Sequence, residues 1–134
     1  MRHAVIMAGG VGVRLWPLSR KGRPKQVLRL FSGTSLMRQC YERVAALLPP
    51  ERIHVITNQT HLPLVAKELP ELPASNFIGE PVGRDTANAV GLAAAVLAPK
   101  DPEAVIGVFP ADHVITPLDS FSSAVERAFE TAEK

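Results

Sequence analysis

Residues 4–26 read Ala-Val-Ile-Met-Ala-Gly-Gly-Val-Gly-Val-Arg-Leu-Trp-Pro-Leu-Ser-Arg-Lys-Gly-Arg-Pro-Lys-Gln. The run from Ala4 to Ala8 is short, apolar and unbroken, the pattern of a buried strand. It stops at three glycines in four positions, Gly9, Gly10 and Gly12. Glycine lets the backbone take unusual dihedrals and approach a ligand closely. The N–H groups of such a loop can cradle phosphate oxygens, and cations that follow can neutralise their charge. Those cations are Arg14, Arg20, Lys21, Arg23 and Lys25, and no Asp or Glu precedes Glu42. A polyphosphate suits this arrangement better than a neutral metabolite does.

Working outward, strands and helices alternate. The first strand is expected at about 3–8. Gly33 with Thr34 or Ser35 announces a helix, in which Leu36, Met37, Cys40, Tyr41, Val44, Leu47 and Leu48 recur at helical spacing until Pro49-Pro50. A second strand is expected at 53–57 and a helix around 60–68, with Pro63 in its first turn. A short third strand covers 76–79. Residues 86–98 are almost all small and apolar and read as a buried helix closed by Pro99. A fourth strand covers 105–109. Asp119 or Ser120 then caps a last helix with Phe121, Val125, Ala128, Phe129 and Ala132 on one face.

Such alternation implies an α/β fold, a mostly parallel sheet between two helical layers in a three-layer, Rossmann-like αβα arrangement. Ligands in these sheets bind beyond the carboxyl ends of strands, where the strand order reverses. With the order 3-2-1-4, the loops after strands one and four would flank that crevice. The helical pattern is still running at Lys134, so the expectation is that residues 1–134 form the N-terminal, nucleotide-binding part of a larger domain.

The charge balance supports a basic edge on an acidic body. Residues 1–41 hold eight Lys/Arg and no acids, whereas residues 42–134 hold seven Lys/Arg and thirteen Asp/Glu. Net charge is only +2, with one Trp and one Tyr, which argues against nucleic acid as a partner. The single cysteine, Cys40, excludes an intrachain disulfide and reads as a small core residue. No apolar stretch approaches the length of a membrane span, and Ala4–Ala8 is too short for a signal-peptide core. A cytoplasmic location, with no membrane partner, is the expectation left by elimination.

Three clusters carry chemistry. The glycine loop, Ala8 to Val13 with Arg14, is neither the dinucleotide fingerprint, since Leu15 replaces its third glycine, nor a P-loop, since no Gly-Lys-Ser/Thr closes it. Arg14 and Lys25 are its preferred phosphate contacts: a planar fork and a mobile point charge. Arg2, Arg29 and Arg38 read as solvated surface groups. In Phe109-Pro-Ala-Asp-His113, Asp112 follows a strand and is placed to hold Mg²⁺, with a turn cap as its plainer role. His113 reads as a group that orients or packs against Asp112. In Glu80-Pro-Val-Gly-Arg-Asp-Thr-Ala87, Gly83 permits a turn and Asp85 or Thr86 can cap a helix. The same segment can form a base pocket: Glu80 and Asp85 offer acceptors for the donor edge of a guanine, and Arg84 can reach its O6 or a phosphate. His3, His54 and His61 show no metal-ligand spacing and read as structural.

Gly9-Gly-x-Gly-x-Arg14-Leu with Pro24-Lys25 downstream resembles the signature loop of the sugar-1-phosphate nucleotidyltransferases. Arg14-Leu-Trp-Pro-Leu-Ser-Arg20, Pro24-Lys25-Gln26, Glu80-Pro-x-Gly-Arg-Asp-Thr-Ala87 and Phe109-Pro-Ala-Asp-His113 are similar to one branch, which joins GTP and mannose 1-phosphate into GDP-mannose. The match runs in order from residue 4 to about 115, with Val27 where the branch commonly has Phe. The resemblance implies that Gly9, Gly10 and Gly12 approach the nucleotide. It implies that Arg14 binds the departing pyrophosphate and that Lys25 contacts the transferred α-phosphate or the sugar phosphate. It implies further that Asp112 holds Mg²⁺ and that Glu80–Ala87 lines the guanine. The sugar pocket and a second metal-binding acid would lie beyond Lys134, and a homodimer is compatible with it. Alternatives that keep the same loop are a related transferase with another sugar or base, and a nucleotide-binding module without catalysis.

Overall fold

The computed structural model describes residues 1–10, 22–24, 27–29, 33–83 and 85–134. Four strands, β1 (Arg2–Met7), β2 (Ile53–Asn58), β3 (Phe77–Glu80) and β4 (Val105–Pro110), form one parallel sheet in the order β3-β2-β1-β4. The helices are α1 (Leu36–Ala45), α2 (Leu62–Glu68), α3 (Asp85–Leu97) and α4 (Leu118–Ala132). The chain steps outward from β1 to β3, then returns to place β4 on the other side of β1. The expected α/β architecture is therefore found, and the strand order meets the condition under which the loops after β1 and β4 flank one crevice.

Side-chain alternation along the strands sorts the helices into layers. Ala4 and Ile6 of β1 and Val55 of β2 pack with Met37, Cys40, Tyr41 and Val44 of α1, Val65 of α2 and Phe129 of α4. Val5 and Ile56, pointing the other way, pack with Ala89, Ala93 and Leu97 of α3. The sheet thus lies between α1, α2 and α4 on one face and α3 on the other. Ser35 caps α1, its hydroxyl accepting from the Arg38 amide at 3.1 Å, which settles the choice between Thr34 and Ser35.

Four expectations need correction. The helix at 86–98 is not buried all round: only Ala89, Ala93 and Leu97 are, one stripe at every fourth residue. Its uniform apolar composition hides which face meets the sheet. The last helix is not capped by Asp119 or Ser120. It starts at Leu118 after Pro117, and Asp119 falls in its first turn, where a carboxylate suits the positive end of the helix. Arg2 and Arg38 are ion-paired rather than simply solvated. Arg2 bonds Glu126 and Glu133 at 2.7 Å and lies over Phe129, tying β1 to α4. Arg38 bonds Glu42 and Glu71 and lies over Tyr41.

Asn76 is a buried polar staple. Its side-chain amide donates to the carbonyls of Pro50, Glu51 and Ile53 at 3.2, 3.2 and 2.9 Å, locking the turn before β2 to the start of β3. Asn76→Ala is expected to cost about 2 kcal/mol, since it removes these bonds, among them the buried one to the Ile53 carbonyl. A lowered urea midpoint at unchanged slope is the check.

Candidate active site

The carboxyl end of β1 is held from both sides. The Ala8 amide donates to the Ile56 carbonyl at 2.8 Å, and the Thr57 hydroxyl donates to the Ala8 carbonyl at 2.9 Å. On the other flank the Ala111 amide donates to the Met7 carbonyl at 3.0 Å. Ala8 is therefore engaged by β2 and is only 1% exposed. The chain then turns at Gly10, whose φ of +91° lies in the region that favours glycine.

Beyond this edge, between the ends of β1 and β4, lies a cleft of about 510 Å³. Its walls are Gly9 and Gly10 from the turn after β1, Glu80, Gly83, Asp85 and Thr86 from the β3–α3 segment, and Asp112 and His113 from the segment after β4. Met7, Ile56, Ala89 and Pro110 complete the lining. This is the crevice where the strand order reverses, the expected ligand position in such a sheet. Sequence clusters that are distant along the chain meet around one space.

The carboxylates face the cleft in different settings. Glu80 ends β3 and is buried, close to the glycine turn: a Cβ placed on Gly9 would sit 3.8 Å from its Oε2. Asp85, first residue of α3, has φ of +64°, a strained value for a residue with a side chain. Asp112 has a side chain 30% exposed, with the His113 imidazole Nε2 at 3.5 Å from its Oδ1. That spacing fits His113 as a neighbour that orients the carboxylate. Behind Pro110, the Cys40 thiol donates to the Pro110 carbonyl at 3.6 Å. Burial pushes this thiol up to about 11, partly offset by the Arg43 charge, so Cys40 is an inert core group as expected.

Among the described residues there is no group of three or more His, Cys, Asp or Glu able to cage a metal. One partly exposed carboxylate is instead the donor set that suits Mg²⁺, which keeps several waters and binds through one or two carboxylates plus substrate phosphates. The candidate residues Gly12, Val13, Arg14, Lys25 and Arg84, with Arg20 and Lys21, lie outside the described residues. Sequence reasoning left out the apolar floor formed by Met7, Ile56 and Ala89. The last residue of β1 and the small residues of α3 were visible, but only strand order shows that they share a surface.

Known proteins resemble this chain over nearly its whole length. The chain is 45% identical over 132 residues to the mannose-1-phosphate guanylyltransferase RfbM of Salmonella typhimurium, covering 96% of this chain and 27% of that protein. It is 42% identical to a mannose-1-phosphate guanylyltransferase of Escherichia coli, covering 97% of this chain and 28% of that protein. A crystal structure from Thermus thermophilus, described as a mannose-1-phosphate geranyltransferase, superposes with a TM-score of 0.87 at 41% identity, over 99% of this chain and 38% of that one. The chain thus spans little more than a quarter of the length of these curated relatives. No described helix is long and apolar enough to cross a membrane. The family model described as "Nucleotidyl transferase" matches residues 3–134, and with the glycine turn and the β4 carboxylate around one crevice, the chain belongs to the nucleotidyl transferase family.

Proposed function

We propose that this chain supplies the nucleotide half of a site that converts GTP and mannose 1-phosphate into GDP-mannose and pyrophosphate. The observation that carries the reading is the meeting of Gly9, Gly10, Glu80, Gly83, Asp85, Thr86 and Asp112 around one cleft. A phosphate oxygen of the sugar phosphate attacks the α-phosphorus of GTP in line, and the bond to the β-phosphate oxygen breaks. That attacking oxygen is already anionic, so no general base is needed. Catalysis then consists of positioning and of charge neutralisation.

In this reading the Ala8–Gly10 backbone admits the triphosphate closely, and Gly12 and Val13 continue that contact. Arg14 takes the departing pyrophosphate, and Lys25 the α-phosphate or sugar phosphate. Glu80, Gly83, Arg84, Asp85 and Thr86 line the guanine. Asp112 would hold Mg²⁺, which would supply positive charge to offset that of the phosphates when bound. That the relatives are mannose-1-phosphate guanylyltransferases supports the choice of sugar and base.

The test is pyrophosphate release by the full-length protein, coupled to a pyrophosphatase, over a panel of sugar phosphates with GTP, dTTP, UTP and ATP. Preferred turnover of GTP with mannose 1-phosphate is expected. Preference for another pair would reassign the substrates, and GTP binding without pyrophosphate would mark a binding module.

A further inference from the structure

Bonded to the residue that follows Asp112 is a buried cation that the proposed reaction does not use. Arg43 lies in the last turn of α1 and is only 7% exposed. Burying a guanidinium is costly unless its donors are used. Its Nη2 donates to the His113 carbonyl at 3.1 Å, and its guanidinium lies 5.8 Å from the centre of the Phe121 ring of α4. Its buried Nε has no hydrogen-bond partner among the described residues. One side chain thus joins α1, the segment after β4, and α4.

The segment from Pro110 to His113 is held at three points. The Pro110 carbonyl accepts from Cys40, the Ala111 amide donates to Met7, and the His113 carbonyl accepts from Arg43. Asp112 is the residue between the last two, and it lines the cleft. We propose that Arg43 is a positioning residue for Asp112: by pinning the carbonyl that follows, it sets the carboxylate's direction toward the metal and phosphates. This rests on Asp112 as the metal-holding group of the proposed reaction.

Charge and geometry make opposite demands here, which gives the test its sign. A cation near a metal-binding carboxylate repels the metal. Removing Arg43 for its charge alone would therefore tighten metal binding, whereas losing its grip on the segment would weaken it. The probe is Mn²⁺, titrated into the full-length protein with GTP and read from the free-ion paramagnetic resonance signal. Temperatures well below each variant's melting point keep stability out of the reading.

Arg43→Met is expected to weaken Mn²⁺ binding about tenfold, the usual loss when an outer-shell partner is removed. Arg43→Lys keeps the charge but not the fork, and about a threefold loss is expected. Without metal, the Ala111 amide should exchange its hydrogen faster in Arg43→Met. Mn²⁺ affinity at or above wild type in Arg43→Met, with Asp112→Asn impaired, overturns the role of Arg43 and leaves that of Asp112 standing. Unchanged affinity in Asp112→Asn overturns both. Should Arg43→Met fail to fold, Arg43→Lys and Phe121→Leu decide, and wild-type affinity in both overturns the proposal.

Discussion

Asp112→Ala in the full-length protein is expected to lower turnover by about 10²–10³-fold while leaving the fold intact. Charge-stabilising groups at phosphoryl centres are worth about that much, because they act where charge builds in a partly water-excluded cleft. Asp112 lines the cleft opposite the glycine turn, and its side chain is partly exposed. Its removal leaves the Ala111 amide bonded to Met7 and the His113 carbonyl bonded to Arg43. Stability should therefore change little. Asp112→Asn, which keeps the volume but not the charge, should be nearly as slow. The checks are pyrophosphate release across a range of Mg²⁺ concentrations and a thermal melt of each variant. A turnover near wild type in both would mean that Asp112 serves only its turn.

The second large effect concerns the opposite end of the sheet. His3 of β1 and, on the neighbouring β2, His54, which pairs with Val5, are both buried. His3 Nδ1 lies 3.2 Å from His54 Nε2, and His3 Nε2 lies 3.2 Å from Asp101 Oδ2, which also takes the N-terminal ammonium at 2.8 Å. Burial first, then the neighbouring His3 and Lys100, push His54 down to about 4 from an ordinary 6.5. Above pH 6.5 His54 is neutral folded or unfolded, and its contribution to stability is complete. As pH falls from 6.5 toward 4, the unfolded chain takes up a proton that the folded one refuses. Stability then falls with pH. The loss is about 3 kcal/mol when complete, since each pH unit separating the folded from the unfolded value is worth about 1.4 kcal/mol.

Asp101 acts lower on the scale. The N-terminal ammonium, then His3, holds its carboxyl below the ordinary 3.8. Its contribution is lost only below that value, as pH falls through its folded pKa. Urea unfolding at pH 7.5 and at pH 4.5 should show the His54 effect, and His54→Asn should flatten the difference. An unchanged pH dependence in that variant would assign the acid sensitivity to other groups.

Most of the fold was legible because its signals are local. Ala4–Ala8 is an apolar run and Ile53–Thr57 a mostly β-branched one, both suited to a covered strand. The spacing of Met37, Cys40, Tyr41 and Val44 describes one helical face, and those residues do meet the sheet. The glycines after β1 and Asp112 after β4 were identified as site candidates because turn chemistry and charge are written residue by residue. Where composition was uniform, the reading lost direction. In 86–98 nearly every position is small and apolar, so nothing local marks Ala89, Ala93 and Leu97 as the covered stripe. The histidines showed the same limit. His3 and His54 carry no useful spacing, and they become a coupled pair only through the β1–β2 register.

By itself the sequence determined the alternation of strands and helices, the basic glycine turn and the chemistry of the groups at the strand ends. Each of these depends on neighbours along the chain. Tertiary structure alone decided that Gly10, Glu80 and Asp112 share a cleft, and that Arg43 bonds the residue after one of them. The physical reason is strand order: a parallel sheet that reverses its direction of growth beside β1 brings together loops far apart in sequence.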